Sequence, residues 1–251
     1  MRRFAITDIH GCLNTFQALL DKIAFSHQDQ LFLLGDFIDR GPDSKGVIDY
    51  ILHLQQTGYQ VHCLRGNHDQ MLLDARDHDD SHAFWLINGG KATLKSFGVD
   101  HASDIPELYF DFLQGLSYYF EVDNYILVHA GLDFRFEDPF SGLHSMLWAR
   151  NWYGNINYSW LGDRIILHGH TPMFREEVEE QHRMLARQKF IGIDNGCVYT
   201  ETHSRQGLGA LCAFNLDDRS LTFVENSEPE SEETVNKPKS RLAAIWSLLS
   251  F

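Results

Sequence analysis

Residues 31–44 read LFLLGDFIDRGPDS: a run of four apolar residues, then Gly35, then Asp36, Asp39 and Arg40, closed by Gly41. The apolar run reads as a buried strand. A strand that ends in two carboxylates and a guanidinium delivers charge to the rim of a sheet, where packing does not need it. The neighbouring segments repeat the design. Upstream, RRFAIT leads into DIHG and then CLNTFQALLDKIAF, whose apolar positions recur at helical spacing. Downstream, KGVIDYILHLQQTG reads as a helix, and YQVHCL is followed by the loop RGNHD and the helix-like QMLLDAR. Three strand-loop-helix units in succession predict a parallel sheet, and in such sheets the loops beyond the carboxyl ends of the strands gather on one edge. Asp8, His10, Asp36, Asp39, Asn67 and His68 are therefore expected to converge.

Residues 80–115 are richer in helix signals, with HAFWLINGGKATLKSFG and IPELYFDFLQGL, and read as a helical insertion. Beyond them SYYFEV, YILVHAG, RIILHGHT, KFIGIDNG, GALCAFNL and SLTFVE read as strands, several joined by the short DN or DDR turns of hairpins, which makes the second half mostly sheet. From Asn226 the polar, acidic NSEPESEETVNKPKS reads as a flexible linker over 226–240. The last residues, 241–251, regain an apolar face at Leu242, Ile245 and Leu249, and read as an amphipathic helix that docks on its own domain or on a partner.

Composition narrows the function. A chain of 251 residues with 43% hydrophobic content suits a folded globule with a sizeable core. A formal charge of -14 argues against nucleic acid or an anionic membrane as partner, because both are negative. Cys12, Cys63, Cys197 and Cys212 form no CxxC pair, which fits free thiols in a reducing compartment rather than a disulfide framework or a zinc site. The apolar run before Asp8 is too short for the core of a signal peptide, and no window is long enough to span a membrane. A cytoplasmic location is the expectation.

Carboxylate, imidazole and amide oxygen are the ligand set of borderline divalent metals. The strand-end series DIHG, GDFIDRG, GNHD, HAG and GHT, in this order, resembles the phosphoprotein phosphatase family of binuclear metallophosphatases, above all its bacterial and phage branch, whose pattern is GDxHG, GDxxDRG, GNHE, HAG and GHT. The segments NGGKATLKSFG, MLWAR and IDNGCVYT are similar to that branch as well, so the resemblance runs to about residue 225. Thr7 departs from the pattern at the first glycine, Asp69 at the glutamate, and Asn195 at the threonine of DTG. None of the three falls on an expected metal ligand.

The resemblance implies an α/β catalytic domain over 1–225, a four-layer sandwich of two mixed sheets flanked by helices. It implies two divalent cations, manganese foremost, with iron, zinc or nickel compatible. One would be held by Asp8, His10 and Asp36, the other by Asp36, Asn67, His129 and His170, with a bridging hydroxide as the nucleophile. His68 resembles the general acid and Asp39 the carboxylate that orients it. Arg40 would grip phosphate oxygens with its planar fork, and Arg150 in MLWAR is a second phosphate clamp. Gly35 and Gly41 would let the backbone turn tightly around the metals.

The activity so implied is metal-dependent phosphomonoester hydrolysis of the serine/threonine protein phosphatase type, on phosphorylated proteins or small phosphate esters. Symmetrical dinucleoside polyphosphate hydrolases share these motifs and differ in the walls of the cleft, so they stand as the alternative. A non-catalytic phosphate-binding module is a third reading, opposed by the presence of every expected ligand and of His68. A nuclease would need a basic track that this chain lacks. Outside the expected site, His62 and Cys63 read as packing, Cys12 and Cys197 as small apolar residues with oxidation sensing beside the site loops as the alternative, and Arg65 as a structural ion pair or a phosphate contact. His168 sits two residues before His170 and would share its face of a strand.

Overall fold

The computed structural model describes residues 1–199 and 207–229. Its first sheet forms as the opening motifs require. Strands β1 (Arg3–Ile6), β2 (Gln30–Leu33) and β3 (Gln60–Cys63) pair in parallel, connected by α1 (Leu13–Lys22) and α2 (Ser44–Gln56). After β3 come α3 (Asn67–Ala75) and the helical insertion: α4 (Asp79–Trp85), a π-helical turn (Leu86–Gly90), α5 (Lys91–Phe97) and α6 (Glu107–Gln114).

The chain then builds a second sheet. A two-residue turn, with Asp123 at φ 51, joins β4 (Tyr119–Val122) to β5 (Tyr125–Val128) as an antiparallel hairpin. The short helices α7 (Leu143–Trp148) and α8 (Tyr158–Leu161) precede β6 (Ile165–His168), and α9 (Arg175–Gln188) carries the chain over to β7 (Phe190–Gly192). Strands β5, β6 and β7 are parallel neighbours. The last hairpin, β8 (Ala210–Asn215) and β9 (Leu221–Glu225), returns to the first sheet and pairs antiparallel with β1. The orders are β3-β2-β1-β8-β9 and β4-β5-β6-β7, so both sheets are mixed.

Strand alternation separates the layers. Ala5, Phe32, Leu34, Tyr125, Leu127, Leu167, Cys212 and Phe214 form one buried cluster between the sheets. Their neighbours Phe4, Ile6, Leu31, Leu33, Leu211 and Ala213 face the other way, against Phe16, Leu19, Val47 and Ile51 of α1 and α2. On the far side Ile126, Val128 and Ile166 meet Met146, Trp152 and Leu161. The result is the helix-sheet-sheet-helix sandwich expected.

The second half is less purely sheet than its strand signals suggested. The helix α9 is 14 residues long, yet only Val178 and Leu185 are buried, and its glutamates and arginines hide the apolar period. Topology demands it nonetheless, because parallel β6 and β7 need a crossover. The chain from Asn226 starts out docked: Asn226 N–H donates to the Gly209 carbonyl (2.7 Å), and Glu228 Oε1 accepts the Thr15 N–H (2.8 Å) in α1. Residues 230–251, with the rest of the expected linker and the terminal helix, lie outside the described residues. Among the described residues no helix is long and apolar enough to cross a membrane.

Candidate metal centre

Each motif follows a strand: Asp8 and His10 lie in the loop after β1, Asp36, Asp39 and Arg40 in the loop after β2, Asn67 and His68 at the start of α3 after β3, His129 after β5 and His170 after β6. The loops are stitched to one another through the backbone. Asp8 N–H donates to Gly35 O (3.2 Å), His10 N–H to Asp36 O (2.9 Å) and Gly11 N–H to Phe37 O (2.9 Å). Gly35 is left-handed (φ 94), and a Cβ there would run into the Gly66 backbone, so the third loop could not close over the second. At Gly41 a Cβ would strike the His10 carbonyl. Asp8, His10, Asp36, Asp39, Arg40 and His170 themselves adopt positive φ, between 48 and 73°. For side chains with a Cβ that conformation costs about 1 kcal/mol or more each, and such strain gathers at functional sites.

Asp36 occupies the middle. Its Oδ2 lies 3.5 Å from His10 Nε2 and its Oδ1 3.6 Å from His129 Nε2. Oδ1 also accepts the His68 N–H (2.9 Å) at the start of α3, where the helix dipole favours an anion. Burial, and then the Asp8 charge, push its pKa well above the ordinary carboxylate range. Two groups of ligating side chains share it: His10, Asp36 and His68, and Asp36, His129 and His170, the ligating atoms of each group lying within 4.8 Å of one another.

The second group is built for a cation. His129 Nδ1 donates to the Leu34 carbonyl (2.8 Å). Burial lowers the ring's proton affinity, so the imidazole is neutral and Nε2 carries a lone pair. That lone pair faces Asn67 Oδ1 at 3.0 Å, as well as Asp36. His170 Nδ1 lies 2.8 Å from the same amide oxygen, while its Nε2 is buried without a partner among the described residues. Acceptors that face each other in a buried space are costly. A divalent cation among them would turn each into a ligand, and the second donor set therefore fits a metal.

The first group differs. His10 Nδ1 donates to the Ile38 carbonyl (2.8 Å), which again leaves Nε2 as acceptor. Here Arg40 answers it: its guanidinium donates to His10 Nε2 and to His68 Nε2, both at 2.8 Å. The protein's own cation thus stands among His10, Asp36 and His68. Burial first, and Arg40 next, hold both rings well below the usual histidine range. Asp8, expected beside His10, is buried with its Oδ2 taken by the Thr7 hydroxyl (2.5 Å) and the His170 N–H (2.9 Å).

The remaining expected residues are also in place. His68 Nδ1 donates to Asp39 Oδ2 at 2.7 Å. Burial pushes Asp39 up to about 7, against the opposing hydrogen bonds from Thr93 and Trp85. Arg150 lies at the rim, its guanidinium on the Thr171 hydroxyl (3.2 Å), and its charge acts on His68, His129 and His170.

The model of the calcineurin-like phosphoesterase family matches residues 1–199, which carry every residue of this site. The chain belongs to that family. As a calcineurin-like phosphoesterase it is a metal-dependent hydrolase, and its shared Asp36 suits the family's binuclear centre. The serine/threonine-protein phosphatase 1 of Salmonella typhimurium is 33% identical over 180 residues, which cover 68% of this chain and 79% of that protein. The symmetrical bis(5'-nucleosyl)-tetraphosphatase of Pseudomonas fluorescens is 36% identical over 135 residues, 53% of this chain and 44% of the relative's length. Among solved structures, a protein serine/threonine phosphatase from Saccharomyces cerevisiae has the same fold, with a TM-score of 0.60 at 16% identity over 92% of this chain and 81% of that one.

Several residues of this calcineurin-like phosphoesterase escaped the sequence reading. Thr7, a departure from the motif, supplies a hydroxyl to Asp8. Asp69, another, is buried and accepts the backbone N–H of Asp36 (2.9 Å), Phe37 (3.2 Å) and Gly66 (2.8 Å), which ties the second loop to α3. Asn195, the third, donates to the Met173 (2.9 Å) and Gly207 (2.7 Å) carbonyls. Its neighbour Asp194 is a buried acid held high by burial and by the Asp8 charge. His168 stays outside both ligand groups: its Nε2 bonds the Tyr153 hydroxyl (2.8 Å). Arg65 is structural, through hydrogen bonds to Gln70, Tyr118 and the Gln114 carbonyl, and among the described residues it forms no ion pair. Cys63 is buried, whereas His62 is exposed and stacks on Phe32.

Proposed function

We propose that this calcineurin-like phosphoesterase hydrolyses phosphate monoesters on serine or threonine side chains of proteins, and small phosphate esters besides, with manganese as its preferred cation. The observation that carries this reading is the His68–Asp39 pair: a ring fixed at 2.7 Å by a buried carboxylate, with Nε2 turned toward the rim that Arg40 shares. A leaving alkoxide needs a proton; the phosphate released from an anhydride needs one far less.

On this reading Asp8, His10 and Asp36 hold one cation, and Asp36, Asn67, His129 and His170 the other. When bound, such a pair acidifies water and neutralises charge on the phosphate. Arg40 then turns its fork from His10 and His68 to two phosphate oxygens, and Arg150 serves as the second clamp. His68 exchanges a positive neighbour for a dianion, which raises its proton affinity. Asp39 Oδ2 keeps the Nδ1 proton in place, so Nε2, once freed from Arg40, takes up a proton from solvent and passes it to the leaving oxygen. The phosphatase of Salmonella, matched over most of its length, supports a phosphoprotein substrate. The tetraphosphatase match supports dinucleoside polyphosphates as the second reading. The described cysteines are free and buried, which supports a cytoplasmic setting.

The test is phosphate release by metal-stripped, manganese-reloaded protein, with a phosphothreonine peptide and diadenosine tetraphosphate side by side. The proposal expects a higher kcat/KM on the peptide. Preference for the dinucleotide would overturn the substrate class.

A further inference from the structure

The His68–Asp39 pair is completed from outside its own loops. Asp39 is fully buried, and among the described residues the two side-chain donors that reach its carboxylate besides His68 both come from the helical insertion. Trp85, the last residue of α4, donates its Nε1–H to Oδ1 (2.9 Å) and Oδ2 (3.0 Å). Thr93 of α5 donates its hydroxyl to Oδ1 at 2.7 Å. An indole N–H can only donate, and Trp85 has no exposed surface, so Asp39 is the acceptor that satisfies it.

The backbone is shaped to bring both donors in. Between α4 and α5 runs the π-helical turn Leu86–Gly90, where Gly89 takes φ 123 and its carbonyl accepts the Arg40 N–H (3.3 Å). Gly89 is non-helical, so the chain kinks there between the two donor-bearing helices. Thr93 Oγ1 in turn accepts the Asp39 N–H (3.0 Å) and lies 3.0 Å from the Ser44 hydroxyl. Because its own proton is committed to Asp39, Ser44 is the donor in that contact.

A carboxylate with a single partner turns easily about its last torsion, which is broad and two-fold. Here Oδ1 is held by Thr93, and the indole spans both oxygens, so Oδ2 is left in line with His68 Nδ1. We propose that Trp85 and Thr93 are positioning residues for proton transfer by His68: through Asp39 they fix the plane and tautomer of the ring so that Nε2 faces the leaving oxygen. The inference rests on the reading of His68 as the leaving-group acid. It assigns the helical insertion a part in the chemistry, beyond packing on α2 and α3.

A misplaced proton donor slows poor leaving groups more than good ones, whereas lost metal or general loosening slows both. The test therefore compares kcat on phenyl phosphate and on para-nitrophenyl phosphate, with manganese-loaded protein of matched metal content. Trp85→Phe and Thr93→Val should each lose about tenfold on phenyl phosphate and at most about twofold on the nitrophenyl ester, part of the 10²–10⁴ that general acid catalysis supplies. Thr93→Ser, which keeps the hydroxyl, should restore the phenyl phosphate rate. Should Trp85→Phe fail to fold, the two Thr93 variants decide alone. Equal losses on both esters, or no loss on either, would overturn the inference. His68→Asn separates the two levels. If it shows the leaving-group-dependent loss and the insertion variants do not, the positioning role falls alone; if His68→Asn lacks it, the acid reading falls and the inference with it.

Discussion

The two halves of the site meet the same electrostatic demand in different ways. Around His129, Asn67 and His170, ring nitrogens and an amide oxygen face each other with a buried nitrogen left over, and among the described residues no cationic side chain is hydrogen-bonded to them. Around His10 and His68 the same kind of acceptor is met by Arg40, an exposed residue whose guanidinium reaches both rings. One half needs a cation from outside; the other carries its own and must release it. On the proposed reading, a cation held by Asp8, His10 and Asp36 would compete with the Arg40 guanidinium for His10 Nε2, and Arg40 would then be free for phosphate, so the asymmetry would couple loading of the first position to readiness for substrate. The second position should accordingly fill first and bind more tightly.

The largest effect should come from the residue the halves share. Asp36→Asn should lower turnover more than about 1,000-fold and weaken both cations, since loss of even an outer partner of a metal ligand costs about 10–100-fold. Metal content after dialysis and phosphate release check it; near-normal turnover would break the comparison at its centre. Next, His68→Asn should cost about 100-fold or more in kcat on a phosphothreonine peptide, far less on diadenosine tetraphosphate, with metal content retained. Arg40→Met is the sharpest probe of the asymmetry. It should raise KM about tenfold through the lost bidentate phosphate contact, and tighten the weaker of two stepwise manganese affinities, because the competing cation is gone. Calorimetric titration of the stripped protein reads both affinities.

Smaller effects test the frame rather than the site. Asp69→Asn leaves one oxygen to serve three backbone donors at the join of the second loop and α3, and should cost about 1–3 kcal/mol in denaturant unfolding. Far from the metals, Asp29 is buried and bonded to Arg2 (2.7 Å), which holds its carboxyl well below the usual range. Its stabilisation is full above the unfolded-state pKa of about 4 and is lost as pH falls through the depressed native value. Acid unfolding of stripped and loaded protein should share that component, and Arg2→Ala should remove it from both.

The loops were legible because each motif residue closes an apolar run with a charge or a ligand that packing does not require. Asp36 and Asn67 could be placed together from strand ends, whereas His129 and His170 joined them only through the family resemblance. The supporting contacts were hidden for reasons of distance and chemistry. Trp85 and Thr93 meet Asp39 across 46 and 54 residues, and an indole or a threonine within an amphipathic segment reads as packing. Asp69 looked like a substitution of one acid for another, and its three backbone bonds exist only once two loops touch. Helix α9 was obscured by its own charge, with two buried residues to mark its inner face. Arg40 was read as a phosphate ligand, and nothing in GDFIDRG tells that its fork rests first on two histidines.

The most direct test of the central claim, that Asp36 joins two cation positions, is the electron paramagnetic resonance spectrum of the protein loaded with manganese. Two ions that share a carboxylate should give an exchange-coupled spectrum, and Asp36→Asn should abolish it. A simple uncoupled six-line signal from the fully loaded wild-type protein would contradict the account.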